Sequence, residues 1–219
     1  MTAPRPEKVA VPVSFVARAG VTAEWVDACE SWRRLFWDAE PPTLENVCKS
    51  LSREPRYFGQ GRFAWSVVAH SLLVADLAPP ECRLPALTHD LGEAVSKDQP
   101  TPLKQMFPDL GAWCERVQGE MLDALGIRRP TEEERRIVKE ADRTAFAAEV
   151  MTLFPPDRAE AFLANEEKAG GPLDMDRATR AVVVSLWPGE MSRRLCTEIS
   201  RAVVKESLGL ERRVEAAAG

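Results

Sequence analysis

Several features that define special classes of protein are missing from the sequence. No apolar run approaches the roughly 18 residues that a membrane-spanning helix needs. The first ten residues lack the long apolar core of a secretory signal. The 5 cysteines are scattered and form no C-x-x-C pair, which is typical of a reduced cytoplasmic protein. We therefore expect a cytoplasmic protein that makes no membrane contact.

The sequence also lacks an excess of positive charge. It has 29 basic and 34 acidic residues, for a net charge of −5. This balance argues against a protein that coats DNA or RNA, although it leaves room for a small basic pocket around a nucleotide. With 219 residues, of which 45% are hydrophobic, the chain can bury a core without disulfides or a structural zinc.

The alternating pattern of β-strands is missing as well, and the apolar residues recur at helical spacing. We predict an all-α fold with one compact domain over residues 21–210, a loose arm over 1–20 and a short tail over 211–219. A loop is predicted over 53–62, and Pro100-Thr101-Pro102 is predicted to be a turn that ends a helix. The predicted helices cover 22–38, 43–50, 64–78, 81–96, 108–125, 131–154, 158–167, 176–187 and 188–208.

Histidine is the scarcest of the potential ligands, with only two in the chain. His70 and His89 both fall within apolar helical stretches, and Asp90 follows His89 directly. Glu93 lies four residues after His89, so it shares the same side of a continuous helix. The alternative for each histidine is a hydrogen-bonded core residue, which is how isolated buried histidines usually occur.

Asp142 is out of place on the apolar stripe of its predicted helix, between Val138 and Phe146. A buried carboxylate needs a cation or several hydrogen-bond donors. An arginine would satisfy it, and so would a metal held by His70, His89 and Asp90. Two imidazoles and two carboxylates suit Mn, Fe, Co, Ni or Zn better than Ca or Mg. Such a donor set leaves positions open for water and substrate, as catalytic sites do.

The order His70 … His89-Asp90 … Asp142 resembles the H…HD…D signature of the HD-domain metal-dependent phosphohydrolases. The stretch 89–104 is similar to the HD-x-x-E-x-x-x-x-D-x-P-T-P-x-K block of the bacterial and phage HD-type 5′-deoxynucleotidases. The resemblance covers about residues 43–150 and implies the helical HD-domain fold, with a metal site between core helices.

The resemblance also implies a role for each matching residue. One divalent transition metal (Mn, Co, Zn, Fe or Ni) would be held by His70, His89, Asp90 and Asp142. Glu93 would be the catalytic acid/base, and Asp98 would contact the sugar or position the phosphate and water. Substrate binding would fall to Arg56, Tyr57, Arg62 and Lys104. Related enzymes are commonly dimers or larger, so a homo-oligomer is implied.

One position departs from the family pattern. Several relatives have Gly-His in the loop before the first histidine, where this chain has Gly59-Gln60. Gln60 can act there only as a neutral hydrogen-bonding group, which argues against a second metal site or a triphosphate clamp.

Three functions remain open at this point. The first is a metal-dependent 5′-nucleotidase for (deoxy)nucleoside monophosphates. The second is a (deoxy)nucleoside triphosphate phosphohydrolase with the same site. The third is an HD module that senses nucleotides without turnover, against which Glu93 and Asp98 argue. Phe63 and Trp65 are expected in the core, with base stacking as the alternative.

Overall fold

A computed structural model of the chain describes residues 42–181 and 188–218, with side chains except at 102, 188 and 210–218. No β-strand occurs within these ranges, which confirms the all-α prediction. The predicted arm over 1–20, the helix over 22–38 and the last part of the helix over 176–187 lie outside the described residues. No helix in the described ranges is long and apolar enough to cross a membrane.

The helices follow one another with short connections. Their bounds are α1 Leu44–Leu51, α2 Val67–Leu77, α3 Arg83–Thr88, α4 Glu93–Ser96, α5 Thr101–Met106, α6 Pro108–Ala124, α7 Glu132–Leu153, α8 Pro156–Gly170, α9 Met175–Arg180 and α10 Pro188–Ala218. Short 3₁₀ turns cover Arg56–Gly59 and Pro80–Cys82. The last helix thus continues past its predicted end at 208.

Helix α2 forms the centre of the fold. It is apolar on all sides, and Asp76 alone among its residues is exposed, as expected of a helix that is surrounded by others. The Ser66 hydroxyl caps its start by accepting a hydrogen bond from the Ala69 amide at 3.3 Å. Helices α3, α7 and α10 pack around it. Trp65, just before it, is 4% exposed and belongs to the core, whereas Phe63 is 40% exposed.

Helix α7 is a long helix whose start was clear in the sequence. Thr131 and Glu134 form a capping box, in which each side chain hydrogen-bonds the backbone amide of the other residue. Gly126, with φ of +65°, allows the chain to leave α6 in the left-handed conformation that glycine adopts freely. The predicted helices over 108–125 and 131–154 are confirmed by α6 and α7.

Two predictions about residues 81–106 are wrong. The helix expected over 81–96 is interrupted between Thr88 and Glu93, so that α3 and α4 are separate. The segment expected to be only a turn at Pro100-Thr101-Pro102 begins α5, because proline is tolerated in the first turn of a helix, where its missing N–H has no partner to lose. Both differences lie beside the candidate site.

Candidate metal centre

His70 is at the middle of α2, and its side chain is fully buried. Its Nδ1 atom lies 2.6 Å from Oε1 of Glu149 on α7. A carboxylate can only accept, so Nδ1 has a hydrogen and donates it. The Nε2 atom of the same ring faces the side chains of His89, Asp90 and Asp142. The prediction that His70 lies inside an apolar helix is confirmed.

His89 and Asp90 lie in the interruption between α3 and α4, and a glutamine from α6 holds that interruption in place. Nε2 of Gln118 donates to the Thr88 carbonyl at 2.8 Å, and its Oε1 accepts from the Gly92 amide at 2.6 Å. A Cβ atom at Gly92 would lie 2.8 Å from the Gln118 backbone. Only glycine therefore lets α6 pass this close, and the amide of Gln118 replaces hydrogen bonds that a continuous helix would make there.

The ring of His89, like that of His70, is held through its Nδ1 atom and leaves its Nε2 atom facing the other histidine. Its Nδ1 donates to the Ala86 carbonyl at 2.8 Å, so its Nε2 points away from its own helix. The Nε2 atoms of the two histidines are 3.3 Å apart. Oδ2 of Asp90 lies 3.1 Å from Nε2 of His89 and 3.6 Å from Nε2 of His70. These three donor atoms lie within 4.8 Å of one another, and the three residues can hold a metal ion.

Asp142 on α7 comes next to this group. Its Oδ1 lies 3.1 Å from Nε2 of His70, and its Oδ2 accepts from Nζ of Lys139 at 2.8 Å. The positive charge predicted beside Asp142 is thus supplied by Lys139, one turn earlier in the same helix, and by the ring of His70. Asp142 lies beside His70 but is not one of the three residues whose donor atoms converge, so its role as a ligand stays a prediction. We call His70, His89, Asp90 and Asp142 the His70 cluster.

The electrostatics of the His70 cluster show that it favours positive charge. Burial and the charge of Arg56 lower the pKa of His70, but Glu149 and Asp142 outweigh them and raise it to about 10. Burial also works against ionisation of Asp90, yet the charges of His89 and His70 and a hydrogen bond from His89 bring its pKa below its ordinary value. Anionic groups therefore dominate this pocket, and they attract either a proton or a cation.

Glu93, at the start of α4, is a buried carboxyl beside the cluster. It is 7% exposed, and its Oε2 has no hydrogen-bond partner among the described residues. Burial, followed by repulsion from Asp90 and Asp98, raises its pKa well above the ordinary value, against the charges of Arg56 and Lys104. Nζ of Lys104 lies 3.9 Å from Oε1. Glu93 consequently retains a proton far more readily than an exposed glutamate.

Asp98, in the connection between α4 and α5, lies near the same group. Its Oδ1 is 3.9 Å from Nη1 of Arg56. Burial raises the pKa of Asp98, Arg56 lowers it and Asp90 raises it, with a net upward shift. The predicted catalytic pair Glu93 and Asp98 is therefore brought to one side of the His70 cluster, within reach of Arg56.

Arg56 contacts carboxylates from three parts of the chain: Glu149 on α7, Asp90 between α3 and α4, and Asp98 between α4 and α5. Its Nε donates to Oε2 of Glu149 at 3.3 Å, and its Nη1 lies 3.9 Å from Asp90 and from Asp98. The side chain is 12% exposed. Nη1 is thus close enough to the two aspartates for attraction but beyond hydrogen-bond distance from both.

Tyr57, one of the predicted substrate-binding residues, is half-buried, and both its hydroxyl and its ring contact other residues. Its hydroxyl donates to Oε2 of Glu149 at 2.6 Å, and its ring contacts the rings of Phe146, Phe154 and Phe162. Both Tyr57 and Phe58 have left-handed backbone angles, with φ of 54° and 53°. Such a conformation costs a non-glycine residue about 1–3 kcal/mol and is found most often at functional sites.

The two other proposed substrate-binding residues differ in their placement. Lys104 reaches the site through Glu93, as described above. Arg62 has an exposed side chain, and its backbone amide donates to the Leu153 carbonyl at 3.0 Å. The structure does not join its guanidinium to the His70 cluster, so its role in substrate binding stays a prediction.

Sequence reasoning missed Glu149, Lys139 and Gln118. Glu149 had a visible signal, because it lies seven residues after Asp142, which is two turns along the same face of a helix, and sits among alanines and valine. A second carboxylate on one apolar stripe could have been questioned in the way that Asp142 was. Nothing in the pattern around Gln118 distinguished it from an exposed glutamine.

Comparisons with known proteins give little information about the function of this chain. No protein-family model matches the chain. It is 32% identical over 84 residues, or 38% of its length, to the uncharacterized protein YfdR of Escherichia coli (strain K12). The matched region is 47% of that protein, so the chain spans about half the length of the relative it matches. The relative's name states no activity, and any function for this chain has to be argued from the His70 cluster.

Proposed function

We propose that the protein is a metal-dependent phosphohydrolase that acts on (deoxy)nucleoside 5′-monophosphates. The observation that supports this most strongly is the pair of imidazole Nε2 atoms 3.3 Å apart, both turned toward Asp90 and both tied back through Nδ1. Two nitrogen lone pairs at that distance repel each other unless a proton or a metal lies between them.

The donor chemistry and the charge around the cluster both fit a divalent metal. His70, His89, Asp90 and Asp142 would hold it, and two nitrogen with two oxygen ligands suit Mn, Fe, Co, Ni or Zn. Five carboxyl groups and three basic side chains lie in or beside the cluster, so acidic groups outnumber basic ones. The carboxyl groups are Asp90, Glu93, Asp98, Asp142 and Glu149, and the basic side chains are Arg56, Lys104 and Lys139.

The hydrolysis requires an activated water, a proton donor and a cation for the phosphate. A bound divalent metal supplies Lewis acidity, which lowers the pKa of water and polarises a phosphoryl oxygen. Arg56 attracts the phosphate through Nη1 and offsets the charge that redistributes in the transition state. Glu93 gives its proton to the 5′ oxygen as the bond from phosphorus to that oxygen breaks, and then takes the proton that the attacking water loses.

A monophosphate fits the cations at the cluster better than a triphosphate does. Among the described residues, Arg56 and Lys104 are the cations near Asp98 and Glu93, and Lys139 is paired with Asp142. A non-catalytic sensor would gain nothing from Glu93, because a buried carboxyl without a hydrogen-bond partner is costly to keep. These two points favour turnover of a short phosphate ester.

The test is phosphate release from a panel of ribo- and deoxynucleoside mono- and triphosphates, with Mn²⁺, Co²⁺, Zn²⁺ or Mg²⁺, with and without chelator. We expect orthophosphate from monophosphates only, abolished by chelator. Release of triphosphate from a triphosphate substrate would replace this proposal with the triphosphohydrolase. Nucleotide binding without turnover under every metal would replace it with the sensor.

A further inference from the structure

Glu149 is the most deeply buried acidic residue that the expected catalytic roles leave without a task. Its side chain is 0% exposed, and both carboxylate oxygens are hydrogen-bonded. A buried carboxylate is costly unless its oxygens are paired with hydrogen-bond donors, and here both oxygens have such partners on other elements.

The first oxygen of Glu149 acts on a proposed metal ligand. Oε1 lies 2.6 Å from Nδ1 of His70, so this contact keeps a hydrogen on Nδ1 and leaves Nε2 as the ring nitrogen that can bind a metal. Nε2 is the atom that faces His89 and Asp142. Carboxylates in this position are known to orient histidine ligands and to strengthen their bond to the metal.

The second oxygen acts on the proposed phosphate-binding residue. Oε2 accepts from Nε of Arg56 at 3.3 Å and from the Tyr57 hydroxyl at 2.6 Å. With Nε held on that side, Nη1 is directed to Asp90 and Asp98. The same contact also stabilises the strained left-handed backbone at Tyr57.

We propose that Glu149 is a positioning residue that couples the two halves of the site, by holding His70 for the metal with one oxygen and Arg56 for the phosphate with the other. The proposal rests on the proposed function for what the site binds. It predicts that one substitution weakens metal binding and phosphate binding together, although Glu149 contacts neither ligand.

Glu149→Gln is the sharpest variant because it preserves size and removes one acceptor. If the amide oxygen faces His70, the NH₂ group faces the N–H of Arg56, and if the amide flips, the NH₂ group faces the ring hydrogen of His70. Either orientation breaks one of the two contacts and leaves the other to a neutral amide oxygen, which holds its partner more weakly than a carboxylate does. Glu198→Gln is the matched control, since Glu198 accepts from Arg83 at 2.8 Å in a pair remote from His70.

The measurements are calorimetric titration of Mn²⁺, and of inorganic phosphate into the Mn²⁺-loaded protein. For E149Q we expect Mn²⁺ affinity to fall about 10–100-fold and phosphate affinity to fall as well, with both unchanged in E198Q. E149Q that binds both ligands within twofold of the wild type but melts at a lower temperature would reduce Glu149 to a structural residue and overturn the proposal.

The two histidines of the chain allow a test without any variant. In tag-free protein labelled with ¹⁵N-histidine and loaded with Zn²⁺, nuclear magnetic resonance resolves two imidazole rings. We expect His70 to bind Zn²⁺ through Nε2 and to retain a slowly exchanging hydrogen on Nδ1. Coordination through Nδ1, or a rapidly exchanging Nδ1 hydrogen, would overturn the proposal even if E149Q failed to fold.

These outcomes are separate from those of the proposed function. A protein that binds Mn²⁺ and phosphate but hydrolyses no nucleotide would remove the proposed activity and leave the coupling by Glu149 intact. A hydrolase in which E149Q has unchanged affinities for both ligands would retain the activity and remove the coupling.

Discussion

Two groups of charged residues in this protein show opposite arrangements. Around the His70 cluster, five carboxyl groups and three basic side chains lie close to a fully buried histidine. The peripheral ion-pair group, which comprises Asp76, Arg83, Arg194 and Glu198, has two charges of each sign, and its side chains are 24–52% exposed. The charges of the peripheral ion-pair group balance one another and are exposed to solvent, so no further ion is needed to neutralise them. The first group gathers more acidic than basic groups around a buried histidine, and groups with shifted pKa values of this kind are common at functional sites.

The neutral group shows what a structural role looks like in this fold. Arg83 joins α2 to α10 by contacts with Asp76 and Glu198, and solvent screens each pair. Glu93, in contrast, keeps an oxygen without a hydrogen-bond partner, and Tyr57 keeps a strained backbone. An unpaired buried oxygen and a strained backbone both lower stability, and proteins retain such features mainly at functional sites.

Removing a proposed ligand should have the largest effect. We expect Asp90→Ala to lose bound metal and turnover together, because one of the three converging donor atoms disappears. Metal at 100 times its Kd should stabilise the wild type by about 2.7 kcal/mol and this variant not at all. Metal analysis, activity and melting temperature are compared with Asp157→Ala, a change at an exposed site. Activity in a metal-free D90A protein would contradict the site.

Glu93→Gln should separate metal binding from chemistry. The amide cannot exchange a proton, so we expect turnover to fall about 10²–10⁴-fold while the metal content stays that of the wild type. Glu115→Gln, on the exposed face of α6, is the control and should retain full activity. A wild-type rate in E93Q would exclude Glu93 as the acid, and loss of metal would make it a ligand instead.

Gln118→Leu should disturb the interruption that holds His89 and Asp90. The change leaves the buried Gly92 amide without an acceptor and the Thr88 carbonyl with only the Leu91 amide at 3.4 Å, which we expect to lower the free energy of unfolding by about 1–3 kcal/mol. Metal affinity should fall too, because both proposed ligands lie between these groups. Denaturant unfolding of Gln105→Leu, an exposed glutamine, provides the comparison. Equal stability of the two variants would show that Gln118 does not support the turn.

The smallest effect is expected in the peripheral ion-pair group. Glu198→Gln removes the negative charge that attracts Arg83, yet the pair is partly exposed, so the free energy of unfolding should fall by no more than about 1 kcal/mol. The loss should shrink further at high salt, since mobile ions screen such pairs. Denaturant unfolding at two salt concentrations measures this. If the free energy of unfolding falls by more than this, and equally at both salt concentrations, the peripheral ion-pair group is less screened by solvent than its exposure implies.

The elements of the fold could be predicted where the pattern was strong and local. Thr131 with Glu134, and the prolines after Leu153, define α7 without reference to any other helix. His70 could be placed inside a buried helix because its neighbours are apolar on every side. The interruption after Thr88 could not be predicted, because residues 81–96 have helical spacing and the partner that holds them open lies 26 and 30 residues further along.

The sequence by itself determined the helical class, the buried position of His70 and the set of residues that resembles a phosphohydrolase signature. These follow from periodicity, capping and residue type, which act over a few positions. Tertiary structure alone decided that Glu149 joins His70 to Arg56, 79 and 93 residues away, and that Lys139 and His70 share the charge of Asp142. Such contacts depend on how helices cross, because a hydrogen bond forms only when its two atoms are brought within about 3 Å.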